Sequence, residues 1–252
     1  MGDGQDPDRN CWMCADPVHL QVDRDALVLV DASRFELQQV EADALMLSLN
    51  AHFDGAGICF TAPTAKRWYA RLAQIPDIET VPLQEAAGRN VESLLPRGTD
   101  ALTWHRTFNE MQMLLHNDPV NEAREARGEL AVNSVWLWGA GALPERISGS
   151  WVQVWANDAL TRGLARAAGI QSEPVPDDFA RWAEQARDGD HLVVWDQDDI
   201  QTIDPQWLAP ALQALPSHSL TEIRLTAPVG AAVRRFDLAR SDLWKFWRSA
   251  AA

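Results

Sequence analysis

Apolar positions in the first half of the chain switch between two periods. Val18, Leu20 and Val22 alternate, Asp23, Arg24 and Asp25 supply turn chemistry, and apolar character returns from Leu27 to Val30, so residues 18–30 read as a β-hairpin. Ala42, Leu45, Met46, Leu49 and Phe53 then follow helical spacing, ending at Asp54-Gly55. Short runs at 58–61 and 67–72 predict two more strands. Residues 100–116 predict a long helix with Phe108, Met111, Leu114 and Leu115 inward.

The stretch 117–141, NDPVNEAREARGELAVNSVWLWGAG, is the densest in signals. Asp118-Pro119 ends the preceding helix, because proline lacks an amide donor and forces its predecessor out of the α region. Residues 121–127 are rich in good helix formers, with Gly128 where a left-handed cap belongs. Residues 134–138 read as a strand of β-branched and aromatic side chains, and Gly139-Ala140-Gly141 is expected to break it.

Beyond Trp151 the pattern becomes strand, helix, strand, helix. A strand at 151–155 leads to a helix with Asn157 as N-cap and Gly169 as stop, and a helix at 177–187 precedes a strand at 192–195. Asp204-Pro205 is expected to open a further helix as N-cap and first residue. Such alternation predicts a parallel sheet with helices on its faces. Phe236, Ala239, Leu243 and Trp247 recur at helical spacing, flanked by Arg240, Lys245 and Arg248. That tail reads as a terminal helix docked on its own domain. A basic amphipathic helix also suits an acidic protein partner or an anionic membrane.

The residue order within 117–141 carries a family resemblance. VNEAREARGELAVNSVWLWGAG resembles the HPVN...R...G...NSIWLWGQG signature of the archaeal-type, cofactor-independent phosphoglycerate mutases, and the segment from Ala15 through Phe53 is similar to an upstream part of that family. Lys66-Arg67-Trp68-Tyr69 falls where the family has a Tyr-Arg-His strand. The bacterial RpfE-type regulatory proteins are similar as well. The resemblance is dense from Ala15 to Ala142 and thin afterwards.

It implies an α/β fold: a remnant of the three-layer parallel sheet of the alkaline-phosphatase-like enzymes, expected at 133–252, plus an α+β accessory, substrate-cap-like domain at 10–132. It also implies a chemistry in which two divalent metals such as manganese activate a serine for phosphoryl transfer. This sequence departs from the expected ligand pattern. The strand at 192–195 is followed by Asp196, Gln197, Asp198 and Asp199 with no histidine, Ile223 to Thr226 runs into Ala227-Pro228-Val229-Gly230 with no Asp-His pair, and Gln21 stands where the family has an arginine. The expectation is therefore a degenerate relative with no catalytic residues and no metal cofactor, the alternative being an active two-metal mutase with a missing N-terminal part. Arg67, His116, Asn121, Arg124 and Asn133 are the candidate binding residues for a small phosphorylated or carboxylate ligand, because planar guanidinium donors match such anions and Asn can satisfy a hydroxyl.

Composition narrows the classes further. The formal net charge of -14 repels phosphate backbones and argues against nucleic acid as partner. No apolar run reaches the roughly 18 to 20 residues that cross a bilayer, and the acidic start is no signal peptide, so the cytoplasm is the expected location. Cys11 and Cys14 form a C-x-x-C pair without a second half, and they read as structural. The twelve tryptophans are dispersed, which favours core packing over a stacking surface, and Asp196, Asp198 and Asp199 read as solvated loop acids.

Overall fold

The computed structural model describes residues 10–23, 26–195, 203–217, 220–229 and 232–243. The chain divides into two compact units, with the boundary between Glu145 and Arg146.

The first unit is built on a five-stranded antiparallel sheet. β1 (Cys11–Asp23) is its centre, pairing with β2 (Ala26–Asp31), β4 (Arg67–Leu72) and β5 (Ser134–Ala142), while β3 (Ile58–Thr64) lies outside β4. The expected hairpin is present, with Leu20 opposite Leu29. Helix α1 (Gln39–His52) covers the sheet with Ala42, Leu45, Met46 and Leu49, and Phe53 caps it where the sequence stripe stops. Asn50 fixes α1 to β3: its Nδ2 donates to the Phe60 carbonyl at 2.9 Å and its Oδ1 accepts the Phe60 amide at 2.7 Å. A short helix α2 (Leu83–Ala86) precedes α3 (Ala101–His116), which buries Trp104, Phe108, Met111 and Leu115. Phe108 meets Trp136 of β5 edge-to-face at 6.2 Å. Helices and strands thus share one core centred on Trp68, Trp136, Leu29, Leu49 and Met111.

Two expectations change here. The glycines after Trp138 do not break the strand. β5 runs on to Ala142, with Trp12 opposite Gly141 and Cys11 opposite Ala142. From Cys14 to Trp12 is two steps on β1, while their partners Trp138 and Gly141 lie three apart, so β5 carries one extra residue. This is a β-bulge, and Gly139 adopts φ 69° within it. The second change comes from the pairing of β5 with β1. Because β5 is hydrogen-bonded to the centre of this sheet, it belongs to the first unit, and the division falls at 145/146 and not at the expected 132/133.

In the second unit β6 (Gln153–Ala156) pairs in parallel with β7 (Gln171–Glu173) and β8 (His191–Val194). Helices α5 (Ala159–Ala167) and α6 (Phe179–Gln185) make the crossovers, so the parallel arrangement expected from alternation is present. The N-cap of α5 is Asp158, whose Oδ1 accepts the Thr161 amide at 2.7 Å; Asn157 instead accepts the Val175 amide. Asp204 is not an N-cap either. Ile203 before it is already helical, and Asp204–Leu208 forms a wide π turn that continues into the helix Ala209–Ala214. Trp155, Trp182 and Trp207 form a small aromatic core, so these tryptophans pack rather than line a surface.

The tail departs most from its sequence pattern. β9 (Glu222–Val229) and β10 (Ala232–Ala239) form an antiparallel ribbon, and Phe236 and Ala239, expected on a helix, lie on β10. Residues 232–239 alternate as well as they recur at helical spacing, and cross-strand pairing with β9 decides between the two patterns. A 3-10 turn, Arg240–Asp242, follows. Trp247, like Asp196, Asp198 and Asp199, lies outside the described residues.

Candidate functional site

In the signature stretch, Asp118 does not merely end α3; it caps α4 (Pro119–Ala126), its Oδ1 accepting the Val120 amide at 2.9 Å with Pro119 at the first helical position. Gly128 takes φ 76°, as the sequence requires of a left-handed cap. Asn121 and Arg124, three apart, therefore share one helix face, and both are 1% exposed. Asn121 donates from Nδ2 to the carbonyls of Leu115 (2.7 Å) and Val132 (2.9 Å), and its Oδ1 accepts the Val132 amide at 2.8 Å.

Arg124 donates from Nε to the Leu130 carbonyl at 2.9 Å, from one terminal nitrogen to Glu41 Oε2 at 2.6 Å, and from the other to the Glu36 carbonyl at 2.6 Å. Its guanidinium also lies 5.8 Å from the Phe35 ring centre. Glu41 is shared: its other oxygen takes the Arg127 guanidinium at 2.6 Å. Asn133 accepts the Leu20 amide at 2.7 Å and donates to the Leu20 carbonyl at 3.0 Å, adding a rung to the ladder between β1 and β5. Three of the five sequence candidates thus hold the first unit together. His116 is exposed in the last turn of α3, and Arg67 opens β4, half-buried.

Arg67 leads to the chemistry that sequence reading missed. Asp16 on β1 is 7% exposed, and its Oδ2 accepts the Trp138 indole N–H at 2.7 Å. Burial pushes its carboxyl up to about 6; the Trp138 hydrogen bond, the Arg67 charge and the Trp68 backbone N–H pull the other way. Cys14, directly opposite Trp138 and Tyr69, has its thiol pushed up to about 12 by burial and the Asp16 charge, against the pull of Arg67. Such a thiol stays protonated and is a poor nucleophile. The sequence does carry a signal for Asp16: an acid inside an alternating strand is buried only with polar partners. Its place between Ala15 and Pro17, at the edge of the alternation, masks that signal.

The niche therefore combines a carboxyl poised near neutrality, a half-buried guanidinium and an indole donor. It can exchange a proton and hold an anion or a hydroxyl. Cys11 and Cys14 stand on opposite faces of β1, since their separation is odd in a two-residue repeat, so they cannot share a metal. Among the described residues no three His, Cys, Asp or Glu side chains converge as a metal site would require. In the second unit, His191 accepts the Trp155 indole N–H at Nδ1 (3.2 Å) and donates from Nε2 to the Arg187 carbonyl (2.7 Å), a structural assignment that fixes one tautomer.

No protein-family model matches the chain. A probable 2,3-bisphosphoglycerate-independent phosphoglycerate mutase of Geobacter sulfurreducens is 32% identical over 95 residues, 36% of this chain and 24% of that protein. The enzyme of that name from Methanosarcina mazei is 30% identical over 99 residues, 37% of this chain and 25% of its own. Over 95 to 99 residues, then, this chain is similar to the cofactor-independent phosphoglycerate mutases. The match to this phosphoglycerate mutase-like chain spans about a quarter of the length of those relatives. Among solved structures it is similar to the cofactor-independent phosphoglycerate mutase of Thermoplasma acidophilum, with 18% identity, a TM-score of 0.48, and coverage of 94% of this chain and 69% of that one.

Proposed function

We propose that this phosphoglycerate mutase-like protein is catalytically degenerate and acts in the cytoplasm as a regulatory protein that binds a small phosphorylated or carboxylate ligand. The observation that carries the reading is the engagement of Asn121, Arg124 and Asn133. The side-chain polar groups of Asn121, Arg124 and Asn133 serve the fold, so a likeness at these positions of the signature stretch is a likeness of scaffold. The first unit plays the accessory, cap-like part, and the second is what is left of a phosphatase-like domain. In support, Trp195 leads into a run without histidine, and the sequence from Ala227 to Ala231, where an Asp-His pair would be needed, contains neither residue. Arg67, beside Asp16, is the anion-binding residue in this reading.

The test is a coupled assay for interconversion of 2- and 3-phosphoglycerate with added manganese, run beside calorimetric titration with 3-phosphoglycerate. The expected result is no turnover above background together with saturable binding that Arg67→Ala removes. Metal-dependent turnover at enzyme-like rates would end the proposal. It would favour the second reading, an active two-metal mutase completed by further chain, which draws on the quarter-length match to the relatives.

A further inference from the structure

β9 and β10 form a sheet of two strands, and no third strand joins them among the described residues. Two-stranded ribbons are marginal by themselves in water, and an open strand edge is a template for further pairing. Phe236 is 57% exposed and Val233 69%. One face of the ribbon carries Ile223, Leu225, Phe236 and Leu238, in the pairs Leu225 to Phe236 and Ile223 to Leu238. The other carries Arg224, Arg235 and Asp237.

The Arg240 amide donates to the Thr221 carbonyl, which fixes the phase of the ladder. Residues in step with Arg240 point their peptide groups at β9. Alternation turns the N–H and C=O groups of Val233, Arg235, Asp237 and Ala239 to the open edge.

We propose that this edge docks a second copy of the same chain, two β10 strands pairing antiparallel about a two-fold axis through Phe236. The occupant is chosen by charge. With the axis at Phe236, Arg235 faces the partner's Asp237 and Asp237 faces the partner's Arg235, both as hydrogen-bonded ladder pairs, while the two Phe236 rings meet at the closer, non-hydrogen-bonded position. An axis at Arg235 or at Asp237 opposes like charges. An axis between two residues opposes an outward-facing peptide to an inward-facing one and makes no ladder. Among the axes at Arg235, Phe236 and Asp237, the Phe236 register alone pairs opposite charges while satisfying the backbone, and a two-fold interface requires that self-complementarity. Asp237 now pairs within its own chain with Arg224 at 2.7 Å and Arg235 at 2.9 Å. All three are about half exposed, and such pairs rearrange at little cost.

Sedimentation velocity of the full chain over about 100 µM to about 1 µM is the test. Wild type is expected to dimerise reversibly. Asp237→Arg is expected to weaken the dimer by about tenfold or more, since symmetry places two arginine pairs face to face. The exchange Arg235→Asp with Asp237→Arg restores it. Val233→Pro removes an outward amide without touching the bonds to β9, so it weakens the dimer even if Asp237→Arg misfolds. A monomeric wild type at the highest concentration, a dimer indifferent to both Asp237→Arg and Val233→Pro, or a folded exchange variant that stays monomeric would each overturn the proposal.

Discussion

Arg124 joins α4, the segment before α1 and the loop leading to β5 through one guanidinium. Replacing it by alanine leaves Glu41, whose side chain is 12% exposed, with Arg127 as its ion-pair partner, and leaves the Leu130 and Glu36 carbonyls without their donor. We expect Arg124→Ala to lower stability by about 2 to 4 kcal/mol, read as a fall in the urea midpoint. Arg124→Lys should recover little, because an ammonium cannot hold three divergent acceptors in one plane. Asp16 makes a different prediction. Its folded carboxyl sits at about 6 and its ordinary value is 3.8, so the folded state holds the proton more tightly than the unfolded chain. The contribution of Asp16 is favourable below pH 3.8 and is lost as pH rises through 6. Stability relative to Asp16→Asn should therefore fall by about 3 kcal/mol across that window, measured by denaturation of both proteins at stepped pH. A flat difference would contradict the burial of this carboxyl. Neither residue's role could be read from its letter: an arginine three after an asparagine describes an anion pocket and a structural clamp equally well.

At the level of elements, periodicity was legible wherever a single pattern held. The β1–β2 hairpin lies where its alternation puts it, and α1, α3 and α4 lie where spacing and stop signals put them, since each helix buries one face and ends at Gly, Asp-Gly or Asp-Pro. Reading failed where two physical rules competed. Gly139 could break a strand or bulge it, and only the presence of β1 alongside makes the bulge the better outcome. Residues 232–239 fit helix and strand, and the partner β9 is a non-local fact. The bulge has its own test. Gly139→Ala should cost about 1 kcal/mol through its φ of 69° alone, as an added Cβ would touch nothing within 4 Å. Gly141→Ala, equally uncrowded and without a left-handed φ, should be close to neutral in the same thermal scan.

For the molecule as a whole, the α/β character was legible in the change of pattern near Trp151. The position of the boundary was not, because β5 looks by itself like the first strand of the second unit. Residues 143–152 carry no regular structure and are largely exposed. Limited trypsin digestion should therefore cut first after Arg146 and leave residues 10–145 resistant, whereas early cleavage at Arg124 or Arg127 would contradict the α4 packing.

Asn133 stands in for a peptide group opposite Leu20, and that substitution of side chain for backbone exposes the protein to ageing. Hydrolytic loss of ammonia from this amide, next to Ser134, would replace the nitrogen that donates to the Leu20 carbonyl with an anionic oxygen, setting acceptor against acceptor inside the sheet. The same replacement made genetically, Asn133→Asp, gives a homogeneous aspartate form whose heat tolerance can be compared with wild type.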